Sequence, residues 1–293
     1  MLSKTLARPS AGLSQETLLD MFWTMFLSRR LDERAWVMHR QGKIAFHISG
    51  MGHEGTQVGT AFAINRGVDF VHPYYRDLPL MLALGVTPED FMMSLFGKAT
   101  GLSGLGRQMP SHFGDKSRNI VSGSSPVATQ VPQAAGLAFA ILYKQKLGLV
   151  DPADKTQPRL ALTSLGEGST SQGEWHEGLN WAGVHKLPFI CLVENNLYAM
   201  GTGLSRHQAQ TDIQSKARAY AMTGAAVDGM DVTAVEAAVR QAVQTIHAER
   251  APLLLEARTY RYRAHSMYDP ELYRDKAEVE QWKQRCPIES FAA

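Results

Sequence analysis

Short apolar segments alternate with helix-like segments through the second half of the chain, and this alternation restricts the fold more than any other sequence feature. The apolar segments have the length of buried strands, and the segments between them show helical spacing of apolar residues. Strands are predicted at 160–165, 189–193, 225–227 and 253–259, and helices at 173–184, 213–223 and 231–249. Such alternation is typical of an α/β fold whose mostly parallel sheet is covered by helices on both faces.

The first half of the chain is predicted to be mainly helical, with one long irregular segment. Helices are predicted at 15–41, 53–64, 88–97 and 128–147, and a short strand at 68–71. Residues 100–126 are rich in Gly, Ser and Pro, and a loop of that length in a compact domain is usually functional or disordered. No linker divides the 293 residues, which predicts a flexible arm at 1–15 and one domain at 16–293.

The charge balance and the two cysteines limit the classes of function. The chain carries 30 basic and 28 acidic residues, a net charge of +2, which argues against nucleic-acid binding. No apolar run approaches the roughly 20 residues of a membrane span. The N-terminus lacks the apolar region of a signal peptide, although its acid-free composition leaves a transit peptide open. Because Cys191 and Cys286 lie far apart, a reduced, cytoplasmic protein is expected.

The segment LGEGSTSQGE at 165–174 lies where an apolar strand ends and a helix begins. Ligands of open α/β sheets bind at such strand ends, and the free amide groups of a helix N-terminus suit a phosphate group. Gly166 and Gly168 would let the backbone approach a ligand closely, but the glycine spacing is not the G-x-G-x-x-G of nicotinamide dinucleotide sites. A plain strand–helix turn capped by Ser169 or Thr170 explains the segment equally well by itself.

A second polar group follows the next predicted strand and favours a ligand site. Glu167 and Asn196 lie 29 residues apart, the length of one strand–helix–strand unit, which brings consecutive parallel strands side by side. A carboxylate, an amide oxygen and a backbone carbonyl are hard ligands that suit Mg²⁺ and the phosphate oxygens bound with it. Asn195-Asn196 alone is also typical of a turn, but a turn does not explain a carboxylate at the matching strand end.

The paired motif and its surroundings resemble a known enzyme family. Gly166-Glu167-Gly168 followed by Asn195-Asn196 resembles the thiamin diphosphate motif, usually written GDG followed by NN, with Glu in place of the commoner Asp. Further segments are similar to alpha subunits of 2-oxo acid dehydrogenases: GEGSTSQGEWHEGLNWAG at 166–183, LPFICLVENNLYAM at 187–200, RQMPSHFG at 107–114, SSPVATQVPQAAG at 124–136, VDGMDVTAV at 227–235 and EARTYRYRAHS at 256–266. The resemblance runs in order from about residue 16 to the end, which makes it specific.

The resemblance implies thiamin diphosphate as the cofactor and residues that hold it. Mg²⁺ would be bound by Glu167, Asn196 and the carbonyl oxygen of Tyr198. His265, above the diphosphate and near the substrate entrance, would be the catalytic residue. The residues implied to bind the cofactor are Tyr75, Arg76, Ser125, Val127, Gly166, Glu167, Gly168, Ser169, Asn196, Arg261 and His265.

A second ion site is implied by the same resemblance. A monovalent cation, K⁺ for example, would be held by oxygens of Ser124, Pro126, Thr129 and Gln130. Apart from the resemblance, the arginines of the cofactor set would more often be surface charges. His265 would then be a polar loop residue.

The resemblance also implies a reaction and partners. A 2-oxo acid would be oxidatively decarboxylated and its acyl unit passed to a lipoyl group of a partner acyltransferase. The glutamate that activates the cofactor comes from a beta subunit in this family, so an α₂β₂ heterotetramer is implied. GRQMP at 106–110 and SPVATQ at 125–130 favour the branched-chain type, with 2-oxoisovalerate as substrate, whereas YRYR at 260–263 resembles the pyruvate type. The alternatives are a pyruvate or acetoin dehydrogenase alpha subunit and a non-catalytic paralogue.

Some features depart from the family pattern. Glu194 stands where some branched-chain members carry a phosphate-binding arginine, and the helical tail of the family is expected to be missing after 282–291. The segment 261–269 is dense in cationic and polar groups, so we expect it to bury little apolar surface and to order when the diphosphate binds. Ser266 within it would be a sensitive point, because a phosphate there would repel the diphosphate.

Overall fold

The computed structural model describes residues 12–150 and 158–293, and it confirms the predicted α/β fold. A five-stranded sheet has the strand order β1-β2-β3-β7-β6, and all of its neighbouring strands run parallel. The bounds are β1 (Phe70–His72), β2 (Ala161–Gly166), β3 (Phe189–Asn195), β6 (Thr223–Asp228) and β7 (Leu253–Arg258). A small antiparallel pair, β4 (Tyr198–Ala199) and β5 (Thr202–Gly203), follows β3.

Helices surround this sheet, and most of them lie where the sequence predicts them. Their bounds are α1 (Gln15–Arg40), α2 (Glu54–Ala63), α3 (Leu78–Ala83), α4 (Pro88–Leu95), α5 (Gln130–Lys146), α6 (Gly173–His185), α7 (Leu204–His207), α8 (Val232–Glu249), α9 (Lys276–Lys283) and α10 (Pro287–Ala292). The predicted helix at 213–223 is a 3₁₀ helix, Ile213–Tyr220, and Thr223 already belongs to β6. The sequence did not predict α3, α7, α9 or α10. The predicted arm at 1–15 lies mostly outside the described residues, and Gln15 already belongs to α1.

Polar caps and apolar faces explain the long helices. Ser14 begins α1 by accepting a hydrogen bond from the amide of Thr17, and Met21 and Met25 on the inner face of this helix are fully buried. Asp231 caps α8 through the amides of Thr233 and Ala234. Short polar side chains begin helices in this way because they satisfy the free amides of a first helical turn.

The central strand β3 shows why helices cover both faces of the sheet. Ile190 and Leu192 belong to one apolar cluster, and Phe189, Cys191 and Val193 belong to another. This alternation follows from the two-residue repeat of a strand, which sends successive side chains to opposite faces. The first cluster includes residues of α2, α3 and α8, and the second includes residues of α5 and α6. The prediction of a sheet covered on both faces is therefore confirmed.

The strand register determines where the polar groups after β2 and β3 lie. In the pairing of these strands Gly166 stands opposite Glu194, and each strand ends at that level or one residue later. Glu167 and Asn196 therefore follow neighbouring strand ends at the same edge of the sheet. Among the described residues, no helix combines the length and the hydropathy that crossing a bilayer requires.

Two helical glycines provide a matched test of the packing. A Cβ on Gly183 of α6 would lie 2.0 Å from the carbonyl oxygen of Tyr220, whereas a Cβ on Gly136 of α5 would meet no atom within 4 Å. We expect Gly183→Ala to lower the free energy of unfolding by about 1–3 kcal/mol, because the backbone must shift. Gly136→Ala should raise it by about 0.5–1 kcal/mol. Urea unfolding followed by circular dichroism measures both values, and equal stabilities would contradict the close contact at Gly183.

Candidate cofactor site

Glu167 and Asn196 meet at the carboxyl edge of the sheet. Glu167 begins a 3₁₀ turn, Glu167–Ser171, and is only 1% exposed. Its Oε2 accepts a hydrogen bond from the backbone amide of Asn196 at 3.1 Å, whereas its Oε1 has no hydrogen-bond partner among the described residues. Burial raises the pKa of Glu167 above its usual range. A buried carboxylate oxygen without a partner is unfavourable unless a cation compensates it, so the geometry fits a metal ion.

The other two implied metal ligands lie beside this carboxylate, but each has a partner. The Oδ1 of Asn196 accepts a hydrogen bond from the amide of Tyr198 at 3.4 Å, and the carbonyl oxygen of Tyr198 accepts one from Nη1 of Arg261 at 3.1 Å. Among the described residues, no group of three or more His, Cys, Asp or Glu side chains could hold a metal. A metal here would therefore rely on one carboxylate, neutral oxygens and the ligand's own oxygens, as Mg²⁺ does with phosphates.

A cavity of about 390 Å³ opens in front of these groups. It brings together every residue predicted to bind the cofactor, although these residues come from five separate parts of the chain. Its lining consists of Phe46, Ile48, Tyr74, Tyr75, Arg76, Met109, His112, Ser125, Val127, Gly166, Glu167, Gly168, Ser169, Asn196, Tyr198, Ala199, Met200, Arg261 and His265.

The two glycines beside Glu167 serve different purposes. A Cβ on Gly166 would meet nothing within 4 Å, so this residue borders open space, as expected of a backbone that a ligand approaches. A Cβ on Gly168 would lie 2.6 Å from the Cβ of Ala199, so Gly168 is needed for the contact with β4. From the sequence, both glycines are expected to let the backbone approach a ligand, and the structure supports this for Gly166 alone.

Two buried arginines border the cavity, and the alternative that they are surface charges is wrong. Arg76 and Arg261 are 2% and 1% exposed. Arg76 donates to the carbonyl oxygen of Ser49 at 2.5 Å, and Arg261 donates to the hydroxyl of Tyr273 at 2.5 Å. Within the described residues neither guanidinium pairs with a carboxylate, and the Nε of each has no partner. Buried cations without counter-ions favour an anionic ligand, and guanidinium groups bind phosphate well.

His265 lies close enough to both arginines to feel their charge. Burial, Arg76 and Arg261 lower its pKa to about 4, so its imidazole is neutral at pH 7. Its backbone amide donates to Asp269 at 2.7 Å. The expectation that segment 261–269 buries little apolar surface is wrong for its first half, because Tyr262 and Ala264 are buried. Tyr75 completes this side of the cavity with its ring edge-on to His265, at a centroid distance of 6.1 Å.

The loop before α5 brings together three of the four residues implied to hold a monovalent cation. The hydroxyls of Ser124 and Thr129 are hydrogen-bonded to each other, and Thr129 donates to the carbonyl oxygen of Pro126 at 2.8 Å. Gln130 instead donates to the carbonyl oxygen of Ser164 at 3.1 Å, and its Oε1 has no partner among the described residues. Ser125 and Val127 line the cavity itself, and Ser125 is hydrogen-bonded to His112 at 2.9 Å.

Glu194 does not take the place of a phosphate-binding arginine. It is fully buried and accepts hydrogen bonds from Nε2 of Gln57 at 2.9 Å and from the hydroxyl of Tyr74 at 3.1 Å. Burial and the neighbouring Asp77 carboxyl raise the pKa of Glu194 well above its usual range. This residue therefore belongs to a polar network behind the cavity.

Two histidines beside the metal-binding candidates were not assigned from the sequence. Nε2 of His53 lies 3.4 Å from the side-chain nitrogen Nδ2 of Asn196, and Nε2 of His207 lies 4.0 Å from Oε1 of Glu167. Nothing in the surrounding sequence indicates either contact. His53 precedes α2 and His207 ends α7, so only the packing of distant elements brings them here.

Comparisons with known proteins show a family and several similar chains. The chain matches the family described as dehydrogenase E1 component over residues 23–293. It is 44% identical over 283 residues to the 2-oxoisovalerate dehydrogenase subunit alpha of Bacillus subtilis, covering 96% of this chain and 82% of that protein. It is 38% identical over 302 residues to the pyruvate dehydrogenase E1 component subunit alpha of Rhizobium meliloti, covering 99% and 83%. The mitochondrial 2-oxoisovalerate dehydrogenase subunit alpha of Caenorhabditis elegans is 38% identical over 282 residues, covering 96% and 62%.

The low pKa of His265 leads to a prediction about Arg261. In an NMR titration without cofactor, the His265 imidazole should stay neutral from pH 7 to about pH 5 and take up its proton near pH 4. Arg261→Met removes one of the two positive charges that disfavour the imidazolium form, so the pKa should rise. Arg258→Met removes a charge from a half-exposed side chain nearby in sequence and serves as the control. An unchanged or lower pKa of His265 in Arg261→Met would contradict this account.

Proposed function

The chain belongs to the dehydrogenase E1 component family, and from this premise we propose that it is the alpha subunit of a branched-chain 2-oxo acid dehydrogenase. Together with a beta subunit it carries out oxidative decarboxylation of a 2-oxo acid such as 2-oxoisovalerate, with thiamin diphosphate as cofactor. One observation carries the proposal: the cavity joins an unpaired carboxylate oxygen to two buried arginines without counter-ions. Pyruvate is less well supported, since the Rhizobium relative named for it is 38% identical against 44% for the Bacillus one.

The residues of the cavity have complementary tasks in this function. Thiamin diphosphate supplies a nucleophilic carbon and an electron sink when it is bound. Arg76 and Arg261 bind the diphosphate through charge-assisted hydrogen bonds. Glu167 and Asn196 hold the Mg²⁺ that neutralises the diphosphate, with the carbonyl oxygen of Tyr198 as a further ligand. This last ligand requires the hydrogen bond from Arg261 to be rearranged or shared.

His265 is the proposed acid–base residue of this chain near the reacting atoms. Its low pKa keeps a ring nitrogen free to accept a proton at pH 7. A bound diphosphate would weaken the repulsion by Arg76 and Arg261, so the pKa of His265 would move towards neutrality. Such a shift would suit an acid–base group, because catalysis by proton transfer is most effective near the working pH.

The apolar part of the cavity supports a branched aliphatic substrate. Phe46, Ile48, Met109 and Val127 contribute apolar side chains to the lining. Such a surface favours each additional buried methylene of a substrate side chain by about 1–3 kcal/mol. Ser125 and Val127 also line the cavity and are the proposed contacts of the aminopyrimidine ring.

The proposed partners are a beta subunit in an α₂β₂ heterotetramer and a lipoylated acyltransferase. Exposed apolar side chains support subunit contacts, because a monomer rarely exposes large apolar patches. Leu19 and Trp23 of α1 are 60% and 65% exposed, and Trp181 and Val184 of α6 are also exposed. A K⁺ ion in the loop of Ser124, Pro126, Thr129 and Gln130 and a cytoplasmic location remain predictions.

We predict that Glu167→Ala abolishes Mg²⁺-dependent binding of thiamin diphosphate. The substitution removes the one carboxylate of the proposed metal site and relieves a buried charge, so the fold should be retained. Glu177→Ala changes an exposed glutamate of α6 and is the control. Isothermal calorimetry with thiamin diphosphate and Mg²⁺ measures the affinity, and circular dichroism checks the fold. Unchanged affinity in Glu167→Ala would rule out the metal assignment.

We also predict that the purified chain has no decarboxylase activity without its beta subunit. The family places the activating glutamate on that subunit, and we identify no equivalent residue among the described ones at this cavity. Co-expression with the beta chain should restore activity, with a higher kcat/KM for 2-oxoisovalerate than for pyruvate. Release of CO₂ from each 2-oxo acid measures both effects. Robust decarboxylation by the chain alone would contradict the shared active site, and a preference for pyruvate would contradict the substrate assignment.

A further inference from the structure

Two polar atoms without hydrogen-bond partners face each other beside the cavity. Oε1 of Glu167 and Nε2 of His207 are both buried, and 4.0 Å separates them. The side chain of His207 is 13% exposed, and that of Glu167 is 1% exposed. A movement of about 1 Å would bring the two atoms to the distance of a hydrogen bond. The pair would then satisfy the otherwise unpaired carboxylate oxygen on the side of α7.

The neighbour of His207 determines which ring nitrogen carries the proton. Nζ of Lys216 can only donate, and it is hydrogen-bonded to the Gln208 side chain, so Oε1 of Gln208 must face Lys216. Nε2 of Gln208 therefore faces the other way, where it lies 3.2 Å from Nδ1 of His207. An amide NH₂ group cannot accept a hydrogen bond, so this contact disfavours a proton on Nδ1 and favours Nδ1 as an acceptor. The two N–H groups of Gln208 are shared between Nδ1 and the hydroxyls of Thr170 and Ser171. The proton of the neutral imidazole is then on Nε2, which points towards Glu167.

Gln208 also holds the turn that carries Glu167. Its Nε2 lies 3.0 Å from the hydroxyl oxygen of Thr170 and 2.9 Å from that of Ser171. Thr170 in turn donates to the carbonyl oxygen of Glu167 at 2.7 Å. The buried side-chain amide of Gln208 therefore orients both the His207 imidazole and the 3₁₀ turn that begins at Glu167.

We propose that His207 is a positioning residue for Glu167, with Gln208 fixing the imidazole so that Nε2–H donates to the carboxylate oxygen that also faces the metal. This inference rests on the proposed Mg²⁺ site. A carboxylate oxygen has two lone pairs, so it can bind a metal and accept one hydrogen bond. Such outer contacts orient a metal ligand, and their loss typically weakens metal binding about 10–100-fold.

The test uses the full chain co-expressed with its beta subunit and measures the Mg²⁺ concentration that half-saturates thiamin diphosphate binding. His207→Leu should raise this concentration at least about 10-fold. His207→Gln should stay within about 3-fold of the unsubstituted chain, because a glutamine side chain can place an N–H near the position of Nε2.

Gln208→Glu separates hydrogen bonding from charge. A carboxylate at this position cannot donate to Nδ1, so the imidazole proton should move to Nδ1 and leave a lone pair facing Glu167. Mg²⁺ binding should then weaken about 10-fold, although an added negative charge alone would strengthen it. Gln210→Glu adds the same charge at an exposed residue of the same segment and should not weaken binding.

A second measurement is independent of these variants. The ¹⁵N chemical shifts of the unsubstituted chain, labelled at histidine, should identify His207 as the Nε2–H tautomer. An Nδ1–H tautomer would overturn the inference. So would Mg²⁺ binding in His207→Leu within about 3-fold of the unsubstituted chain, or equal losses in His207→Gln and His207→Leu. If Glu167→Ala leaves the Mg²⁺ dependence unchanged, the metal site and this inference both fail; if only His207→Leu is without effect, the inference fails alone.

Discussion

The parallel pairing of β2 with β3 sets the position of the groups on which the cavity depends. The backbone ladder places Gly166 opposite Glu194, so the chain leaves both strands at nearly the same level. A shift of this register by one residue would send the side chains of a strand to the opposite faces. The apolar clusters on the two faces of the sheet oppose such a shift, because the alternate residues of β3 fill both clusters. The core therefore fixes Glu167 and Asn196 as well as the fold.

Some buried charged groups near this edge of the sheet have an ionic partner, and others have none. Among the described residues, the charged groups of Arg76, Arg261 and Glu167 are buried without ionic partners. By contrast, the buried carboxylate of Glu54 forms an ion pair with Arg29 at 2.6 Å. Unpaired buried charges oppose folding, since their desolvation is not offset by a partner. A ligand that joins a diphosphate to a metal cation would compensate all three groups together. Ligand binding should then also stabilise the fold, because the unfolded chain has no such site.

Residues far from the cavity hold its walls in place. Asp32 of α1 accepts hydrogen bonds from His47, from Ser49 and from the backbone amide of Gly50. The carbonyl oxygen of Ser49 in turn accepts a hydrogen bond from the guanidinium group of Arg76. On the other side, Gln208 joins α7 to the turn that carries Glu167. Groups that must bind charged ligands in a defined geometry need such supporting contacts, because an unsupported side chain would relax towards solvent.

The sequence by itself determined the order and type of most elements, and its resemblance to a known family singled out the proposed cofactor-binding residues, all of which line one cavity. Apolar periodicity and polar caps act within one or two helical turns, and the paired motif depends only on the length of one strand–helix–strand unit. The buried helix α3 was not foreseen, because the apolar run of Leu78, Leu80 and Met81 is too short for its period to distinguish helix from strand. Only the tertiary structure decided that Arg76 and Arg261 are buried and that His207 faces Glu167. His207 and Glu167 lie about 40 positions apart in the sequence, and Arg76 and the residue it contacts, His265, lie almost 190 positions apart. Only the packing of whole helices against the sheet brings such distant residues together.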